Sequence, residues 1–231
     1  MYDRPYVRYR DPVHHTERMS AKGAAHPGEH EEISDKRLLR GARTREAVLR
    51  SAVDRASLDG LDKVSFGQLA ADTGLSKSGI QTLFRSKETL QLAVIECARE
   101  MFRAAVIVPA QSAPQGVERL RVLLGCWREY AIAPLFDGGC FWVANRAYFD
   151  SKPGPVRDEL LRDHQSWLGA IARELASAVA AGEIAGLDVN LAAFEIDALL
   201  CAANTALRMG DDQAMDKVGH IVDGMLAPLD A

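Results

Sequence analysis

The chain has 231 residues, of which 48% are hydrophobic and 26% charged, a composition typical of a soluble globular protein. Its formal net charge of -4 argues against a protein that coats nucleic acid along its whole length. Residues 1–90 nevertheless carry roughly three more basic than acidic side chains, and residues 91–231 roughly seven more acidic than basic. The N-terminal part is therefore the one suited to contact a polyanion.

Membrane, secretory and disulfide-bonded classes are not favoured. No apolar run approaches the roughly 18 residues that span a membrane, and no apolar core follows the basic N-terminus. Cys97, Cys126, Cys140 and Cys201 are scattered without paired spacing, which predicts free thiols in a reducing cytoplasm. A redox-sensing role for Cys140 is a less favoured alternative. We expect a cytoplasmic protein without a metal or a cofactor.

Residues 1–40 lack apolar periodicity and are rich in Arg, His, Pro, Gly and Glu, which predicts a disordered N-terminal arm. Met19 is an alternative to Met1 as the start of the protein. Four of the six histidines fall in this arm, but scattered histidines on a flexible segment rarely converge on a metal ion.

A helical pattern begins at Arg43, where apolar residues recur at spacings of three and four, and it ends at Gly60. Ser65 and Gln68 fit a capping box that starts the next helix. Gly74 follows Ala70 by four residues, the spacing of a tight two-helix turn, which needs a small residue at the crossing and a residue tolerating positive φ.

Ser76 is placed to cap a second short helix, and Ser86 a long helix that runs to about Arg103. In the second helix Ile80, Leu83 and Phe84 share one side, which predicts that they face the core. The outward face is then polar and almost free of acids: it holds Lys77, Ser78, Gly79, Gln81 and Thr82. Such a face suits contact with base edges and phosphates.

Beyond Pro109 the pattern predicts five longer helices and no strand, with Pro and Gly breakers between them. Their approximate spans are 116–133, 139–150, 155–181, 189–209 and 212–228. The last two are rich in Ala and suit either half of an intermolecular four-helix bundle or an ordinary internal pair. The candidate dimer residues on them are Leu191, Phe194, Leu199, Val218, Ile221 and Met225.

Aromatic residues concentrate in the middle of the C-terminal part, with Arg146 and His164 nearby. This pattern fits a mostly apolar cavity for a small hydrophobic effector, or equally a packed aromatic core. The candidate effector-binding residues are Trp127, Tyr130, Phe141, Trp142, Asn145, Phe149 and Trp167.

Residues 43–100 resemble the DNA-binding domain of TetR-type (TetR/AcrR) transcriptional regulators. The resemblance rests on Ser65, Leu69, Ala70, Gly74, Leu75, Ser76, Ile80, Phe84, Ser86, Lys87, Glu88 and Leu90. It implies an all-α fold, in which an N-terminal three-helix helix-turn-helix domain precedes a C-terminal helical ligand-binding and dimerisation domain. We therefore divide the chain into the arm at 1–40, a DNA-binding domain at 41–103 with its helix-turn-helix at about 65–84, and an effector and dimerisation domain at 104–231.

The resemblance also implies a homodimer that binds a palindromic operator on double-stranded DNA, commonly as a repressor, and that a small molecule releases. Lys87 matches the phosphate-contacting lysine of the family, and Thr44 and Ser65 match residues that contact the DNA backbone. The family commonly has an aromatic residue where this chain has Gln81, and a Gly-Thr pair where it has Ser78-Gly79. The candidate DNA-binding residues are Thr44, Ser65, Ser76, Lys77, Ser78, Gly79, Gln81, Thr82 and Lys87.

Two other classes of function are less consistent with the sequence. An enzyme is disfavoured because the chain has no nucleophile elbow, glycine-rich phosphate loop or metal-ligand spacing. The alternative to a sequence-specific regulator is a helical dimeric interaction module that has lost sequence-specific DNA binding, which the unusual Gln81 leaves open.

Overall fold

The structure is a computed structural model that describes the backbone of residues 28–184 and 186–227, with side chains from residue 39 onward. The chain divides into two compact units, residues 1–40 and residues 41–231. No strand occurs among the described residues. The helices are α1 Gly28–Asp59, α2 Phe66–Thr73, α3 Lys77–Phe84, α4 Lys87–Phe102, α5 Val108–Ala110, α6 Val117–Ile132, α7 Phe141–Phe149, α8 Pro155–Ala180, α9 Val189–Arg208 and α10 Ala214–Met225.

The predicted all-α class is confirmed, and α6 to α10 begin and end within three residues of the predicted spans. The reason is local: proline and glycine punctuate the chain at each boundary. Pro155 stands at the first position of α8, while Gly182 and Gly210 adopt positive φ just beyond α8 and α9. No described helix is long and apolar enough to cross a membrane.

The first helix is longer than predicted, because α1 begins at Gly28 rather than near Arg43. Residues 28–40, which the composition assigned to a disordered arm, are therefore helical. This stretch is rich in Glu, Lys, Arg and Leu, which favour a helix without forming an apolar face, so a search for periodicity misses it. The rest of the predicted arm, residues 1–27, lies outside the described residues.

The fourth helix also continues past its predicted end near Arg103. A π-helical turn, Arg103–Ile107, follows α4 directly and passes into α5, which contains Pro109. A π-turn widens the helix locally and often marks a functional site. Here it connects the N-terminal helices α1 to α4 with the C-terminal helices that follow.

The starts of α2, α3 and α4 are fixed by the predicted caps. Ser65, Ser76 and Ser86 each accept a hydrogen bond from the backbone N–H three residues later. Gly74 ends α2 in the left-handed conformation at φ 70°. The Gln68 side chain does not complete the predicted capping box, because its Oε1 instead accepts from the Ser65 hydroxyl at 2.9 Å.

The end of α1 is locked to the C-terminal helices by a buried amide. Asn145 on α7 is fully buried; its Oδ1 accepts from the Leu61 N–H at 2.6 Å, and its Nδ2 donates to the Ala56 carbonyl at 3.2 Å. The Gln91 side chain on α4 donates to the Leu61 carbonyl at 3.2 Å. The loop before α7 packs on the same helix end, where the Gly138 N–H donates to Ser57 Oγ at 2.8 Å.

Arg85 joins α3 to α4 through a tight turn of an unusual hand. Its φ of 61° and ψ of -51°, with the Ser86 N–H donating to the Phe84 carbonyl at 2.6 Å, define a strained γ-turn. It is the only non-glycine residue with positive φ among those described. The turn directs α4 away from α3 within a single residue.

Gly138→Ala tests the contact between this loop and α1. A Cβ atom at residue 138 would lie 2.1 Å from the Ser57 carbonyl oxygen, so loop and helix would have to separate. We expect the free energy of unfolding to fall by at least about 2 kcal/mol, measured by urea unfolding. The control is Gly125→Ala inside α6, where nothing lies within 4 Å and the better helix former should stabilise by up to about 1 kcal/mol. Similar effects of the two variants would contradict the close packing.

Arg85→Gly tests the strain in the γ-turn. Arg85→Ala is the matched control, because both variants remove the side chain and its charge but only glycine relieves the backbone. We expect the glycine variant to be more stable than the alanine variant by about 1 kcal/mol in thermal or urea unfolding. At an unstrained position a glycine variant is less stable than the alanine variant. A glycine variant less stable than the alanine variant would therefore contradict backbone strain at Arg85.

Candidate DNA-binding surface and ligand cavity

The outward side of α3 forms one continuous polar strip, here called the recognition face: Lys77, Ser78, Gln81, Thr82 and Arg85. These side chains are exposed, and their spacing places them on one side of the helix. The opposite side is anchored, because Ile80 is fully buried and Phe84 nearly so. The predicted split between an inner and an outer face is thus present.

The charge on this face has one sign. Residues 73–87 contain no Asp or Glu, whereas Lys77, Arg85 and Lys87 are basic. Nearby acids are engaged elsewhere: Arg55 of α1 binds the Asp72 carboxylate at 2.7 Å and the Asp59 carboxylate at 3.3 Å. The face therefore presents positive charge and hydrogen-bond donors without a competing carboxylate.

The polar residues of α3 differ in how far they are already engaged. The Thr82 hydroxyl donates to the Ser78 carbonyl at 2.8 Å, and Ser78 Oγ lies 3.2 Å from Ser76 Oγ. The Lys77 and Gln81 side chains make no hydrogen bond within the described part of the chain. A Cβ atom at Gly79 would lie 3.0 Å from the capping Ser76 hydroxyl, so glycine there gives the cap room.

The other residues predicted to contact the DNA backbone, Lys87, Ser65 and Thr44, lie outside α3. Lys87 at the start of α4 donates its Nζ to the Asp62 carbonyl and lies 3.5 Å from Asp62 Oδ1, so it holds the loop before α2 in place. The Ser65 hydroxyl is exposed at the start of α2, and Thr44 is half-buried on α1. A hydrogen bond from Tyr148, with the charge of Lys87 adding to it, lowers the pKa of Asp62.

A cavity of about 400 Å³ lies among the C-terminal helices. It is called the ligand cavity below. The chain's three tryptophans, Trp127, Trp142 and Trp167, all line it. Phe102 packs edge-on against Trp142 and Trp167, with ring centroids 4.9 and 5.7 Å apart. Polar residues complete the lining: Arg99, Arg103, Cys140, Arg146, Arg162, Asp163, His164, Ser166, Arg173, Asp197 and Cys201.

A buried polar cluster forms one wall of the cavity. Asp197 Oδ2 lies 2.7 Å from His164 Nε2 and 3.7 Å from the Arg146 guanidinium, which also donates to Cys201 Sγ at 2.9 Å. Burial raises the pKa of Asp197, but the His164 hydrogen bond and the Arg146 charge outweigh it, so the net pKa is lowered and the carboxylate is charged. Burial, with the Asp197 charge adding to it, raises the pKa of Cys201 to about 11, so its thiol is protonated at neutral pH.

The four cysteines are free thiols within the described chain, as predicted. Burial raises the pKa of Cys140, so this thiol lacks the thiolate character of a redox sensor. Among the described residues no three metal-ligating side chains come together.

Four of the predicted effector residues do not line the cavity: Tyr130, Phe141, Asn145 and Phe149. The reason is the helical period of α7, where residues 141, 145 and 149 share the buried face, while Trp142 and Arg146 face the cavity. Tyr130 is buried behind the cavity, and its hydroxyl accepts from the Phe141 N–H at 3.2 Å.

Sequence reasoning missed most of the polar lining. Arg99 and Arg103 lie on α4 and the π-turn, outside the aromatic-rich stretch on which the predicted cavity is based. On α8, residues 163, 166, 167, 170 and 173 recur at helical spacing and all line the cavity, a signal that was available in the sequence.

The exposed apolar residues of the last two helices form a separate surface, here called the dimer face: Leu191, Phe194, Ala198, Ala202, Met209 and Ile221. Leu191 is 56% exposed, Phe194 60% and Met209 85%, far more than large apolar side chains usually are. Of the predicted dimer residues, Val218 is instead buried within the chain, facing the groove between α6, α9 and α10. Leu199 and Met225 are half-buried.

Known proteins share this architecture. Residues 116–222 match the family model of the tetracyclin repressor-like C-terminal domain. A TetR transcriptional regulator from Chloroflexus aurantiacus superposes with a TM-score of 0.75 at 26% identity, over 82% of this chain and 97% of that one. A TetR-family regulator from Agrobacterium tumefaciens gives 0.73 at 17% identity, over 81% and 100%.

A third structure, AibR in complex with isovaleryl coenzyme A and operator DNA, gives a TM-score of 0.68 at 16% identity, over 80% of this chain and 100% of that one. No curated protein matches the sequence significantly. The capped helix-turn-helix, the ligand cavity and these matches agree: residues 116–222 belong to the tetracyclin repressor-like C-terminal domain family, and the chain has the fold of TetR-family transcriptional regulators.

Proposed function

We propose that the protein is a repressor that binds a palindromic operator as a homodimer and leaves it when a small organic molecule enters the ligand cavity. The observation that carries the proposal is that Asn145 ties the end of α1 to α7, the helix that supplies Trp142 and Arg146 to the cavity. The helix that supplies two residues to the cavity thus also holds the end of α1, which packs with the helix-turn-helix.

The DNA side of the proposal rests on the recognition face. In a dimer, two copies of α3 enter successive major grooves about one helical turn apart. Lys77 and Arg85 supply salt-dependent affinity for phosphates. Gln81 is the side chain best suited to read a base, because its amide can pair with both polar atoms of an adenine edge.

The dimer side rests on the dimer face. Phe194 and Leu191 project from α9, and Ala198 and Ala202 between them and Met209 leave the helix flat enough for a second helix to approach. A second copy of the chain related by a two-fold axis would cover this apolar surface with the same surface of its own. That symmetry matches a palindromic operator.

The coupling between the two sites follows two routes. The first is α7 and Asn145, described above. The second is α4, which starts at Ser86 directly after α3 and carries Arg99 and Phe102 to the cavity. A ligand that favours one arrangement of α4 and α7 shifts the spacing of the two α3 helices and so the affinity for DNA. AibR, which has the same fold, provides a precedent, because its structure contains both isovaleryl coenzyme A and operator DNA.

The first test is binding to the region upstream of the protein's own gene, by footprinting and gel shift. We expect a protected palindrome for the wild type. Lys77→Gln should weaken binding about ten-fold, and Gln81→Ala should relax the preference at one base pair in each half-site. Arg121→Gln, which removes one charge from an exposed position on α6, should change nothing. Equal losses in both charge variants, or no protected site at low salt, would contradict the proposal.

The second test concerns Asn145 as the link between the two parts. Asn145→Ala leaves the Leu61 N–H and the Ala56 carbonyl without their buried partner, which should cost about 1–3 kcal/mol. Tryptophan fluorescence reports only on the cavity region, whereas circular dichroism reports on all helices. We expect the two unfolding curves to coincide in the wild type and to separate in the variant.

The matched control is Asn204→Ala. Asn204 is also buried, and its Oδ1 accepts from the Cys140 N–H at 3.4 Å within the C-terminal part. This variant should lose stability without separating the two curves. If the curves of both variants coincide, Asn145 is an ordinary core residue and does not couple the parts.

A further inference from the structure

The lining of the ligand cavity has an excess of positive charge. Five arginines face it, against two aspartates, with no lysine or glutamate among the lining residues. Arg99 and Arg146 are half-buried, whereas Arg103, Arg162 and Arg173 are exposed where they line the cavity. A concave site lined by charge of one sign attracts ligands of the opposite sign.

Both aspartates of the lining are already paired within the protein. Asp163 binds Arg99 Nε at 2.5 Å and accepts from Trp142 Nε1 at 3.1 Å. Asp197 is held by His164 and Arg146. Neither carboxylate is available to a cationic ligand.

The arginines fall into two groups. Three have acidic partners: Arg99 binds Asp163 and Glu159, Arg146 binds Asp197, and Arg162 binds Glu159. Arg103 and Arg173 have none within the described chain. Both side chains line the cavity, one from the π-turn and one from α8.

The rest of the lining is aromatic. Phe102 directly precedes Arg103 in sequence, and Trp167 lies on α8 six residues before Arg173. An aromatic or branched apolar body packs against these rings, and a negative group on the same molecule lies within the reach of guanidinium groups that can bind it with two parallel hydrogen bonds.

We propose that the effector is an amphipathic organic anion, a carboxylate, sulfonate or phosphate on an apolar body, and that Arg103 and Arg173 bind its charged group. This assignment rests on the proposed role of the cavity as the effector site. It names the chemical class of the ligand and the two residues that select it.

The test uses two fluorescent probes that share one aromatic body: anilinonaphthalene sulfonate and uncharged N-phenyl-naphthylamine. Binding is followed by energy transfer from tryptophan. Because all three tryptophans line the cavity, the signal reports on this site. We expect the wild type to bind the sulfonate at least about ten-fold more tightly than the neutral probe, the gain of a charge-assisted hydrogen bond.

The double variant Arg103→Gln with Arg173→Gln should remove this preference and leave the affinity for the neutral probe unchanged. Arg43→Gln, which takes the same charge from an exposed site on α1, should preserve the preference. Ala170→Phe fills the cavity and should weaken both probes, which confirms where they bind. Circular dichroism checks that each variant is folded.

Equal affinity of the wild type for the two probes would overturn the proposal. So would a double variant that keeps its preference for the sulfonate, or one that loses both probes equally. The measurement contains no DNA, so a failure to find an operator would leave its result standing. Conversely, a wild type without a preference for the anionic probe would contradict the proposed class of effector but not the proposed role as a repressor.

Discussion

The hydrogen bonds of the Asn145 side chain are the constraint on which the arrangement of the two functional parts depends. A fully buried amide has to find partners, because an unpaired donor or acceptor in the core costs about 1–3 kcal/mol. Asn145 finds them in the last turn of α1 and in the Leu61 N–H just beyond it, and a third in the Phe141 carbonyl of its own helix. Apolar packing alone would allow α1 to slide on α7. Directional hydrogen bonds to backbone atoms prevent this sliding, so the orientation of α1 follows the orientation of α7.

Helix α7 therefore makes functional contacts on two opposite faces. One face of α7 is buried against α1 through Phe141, Asn145 and Phe149, and the other presents Trp142 and Arg146 to the ligand cavity. A rotation of α7 by part of a turn moves both faces together, since a helix of nine residues is stiff over its length. Gly138 strengthens the effect, because its missing side chain lets the preceding loop lie directly on the Ser57 backbone. Under the proposed function, a ligand that shifts Trp142 would act on α1 through α7 alone.

Features set by neighbouring residues could be predicted from the sequence, whereas features set by distant contacts could not. Ser65, Ser76 and Ser86 cap their helices, and Gly74 makes the turn, because capping and positive φ are decided within four residues. The sequence predicts the region of the aromatic cluster correctly, but it wrongly predicts that Phe141 and Phe149 line the cavity. Which ring of α7 faces the cavity depends on the helical period and on the helices packed against α7. Arg103 and Arg173 could not be singled out, since being unpaired depends on where every acid of the fold lies. Residues 28–40 were missed because charged residues with high helix propensity leave no periodic trace.

The recognition helix shows how the framework narrows the choice of residues that can read DNA. The Ser76 hydroxyl caps the helix by accepting from the Gly79 N–H, and Ser78 Oγ lies beside it. A side chain at position 79 would press on this hydroxyl, so glycine fits there. Thr82 bonds back to its own helix. What remains free on the recognition face is Lys77, Gln81 and Arg85, and Arg85 is held in a strained turn that fixes the direction of its side chain. Two of these three are cations that contact any phosphate. Under the proposed function, discrimination between operators would therefore fall mainly on Gln81, and the unusual residue at this position would be the source of specificity rather than a sign that specificity has been lost.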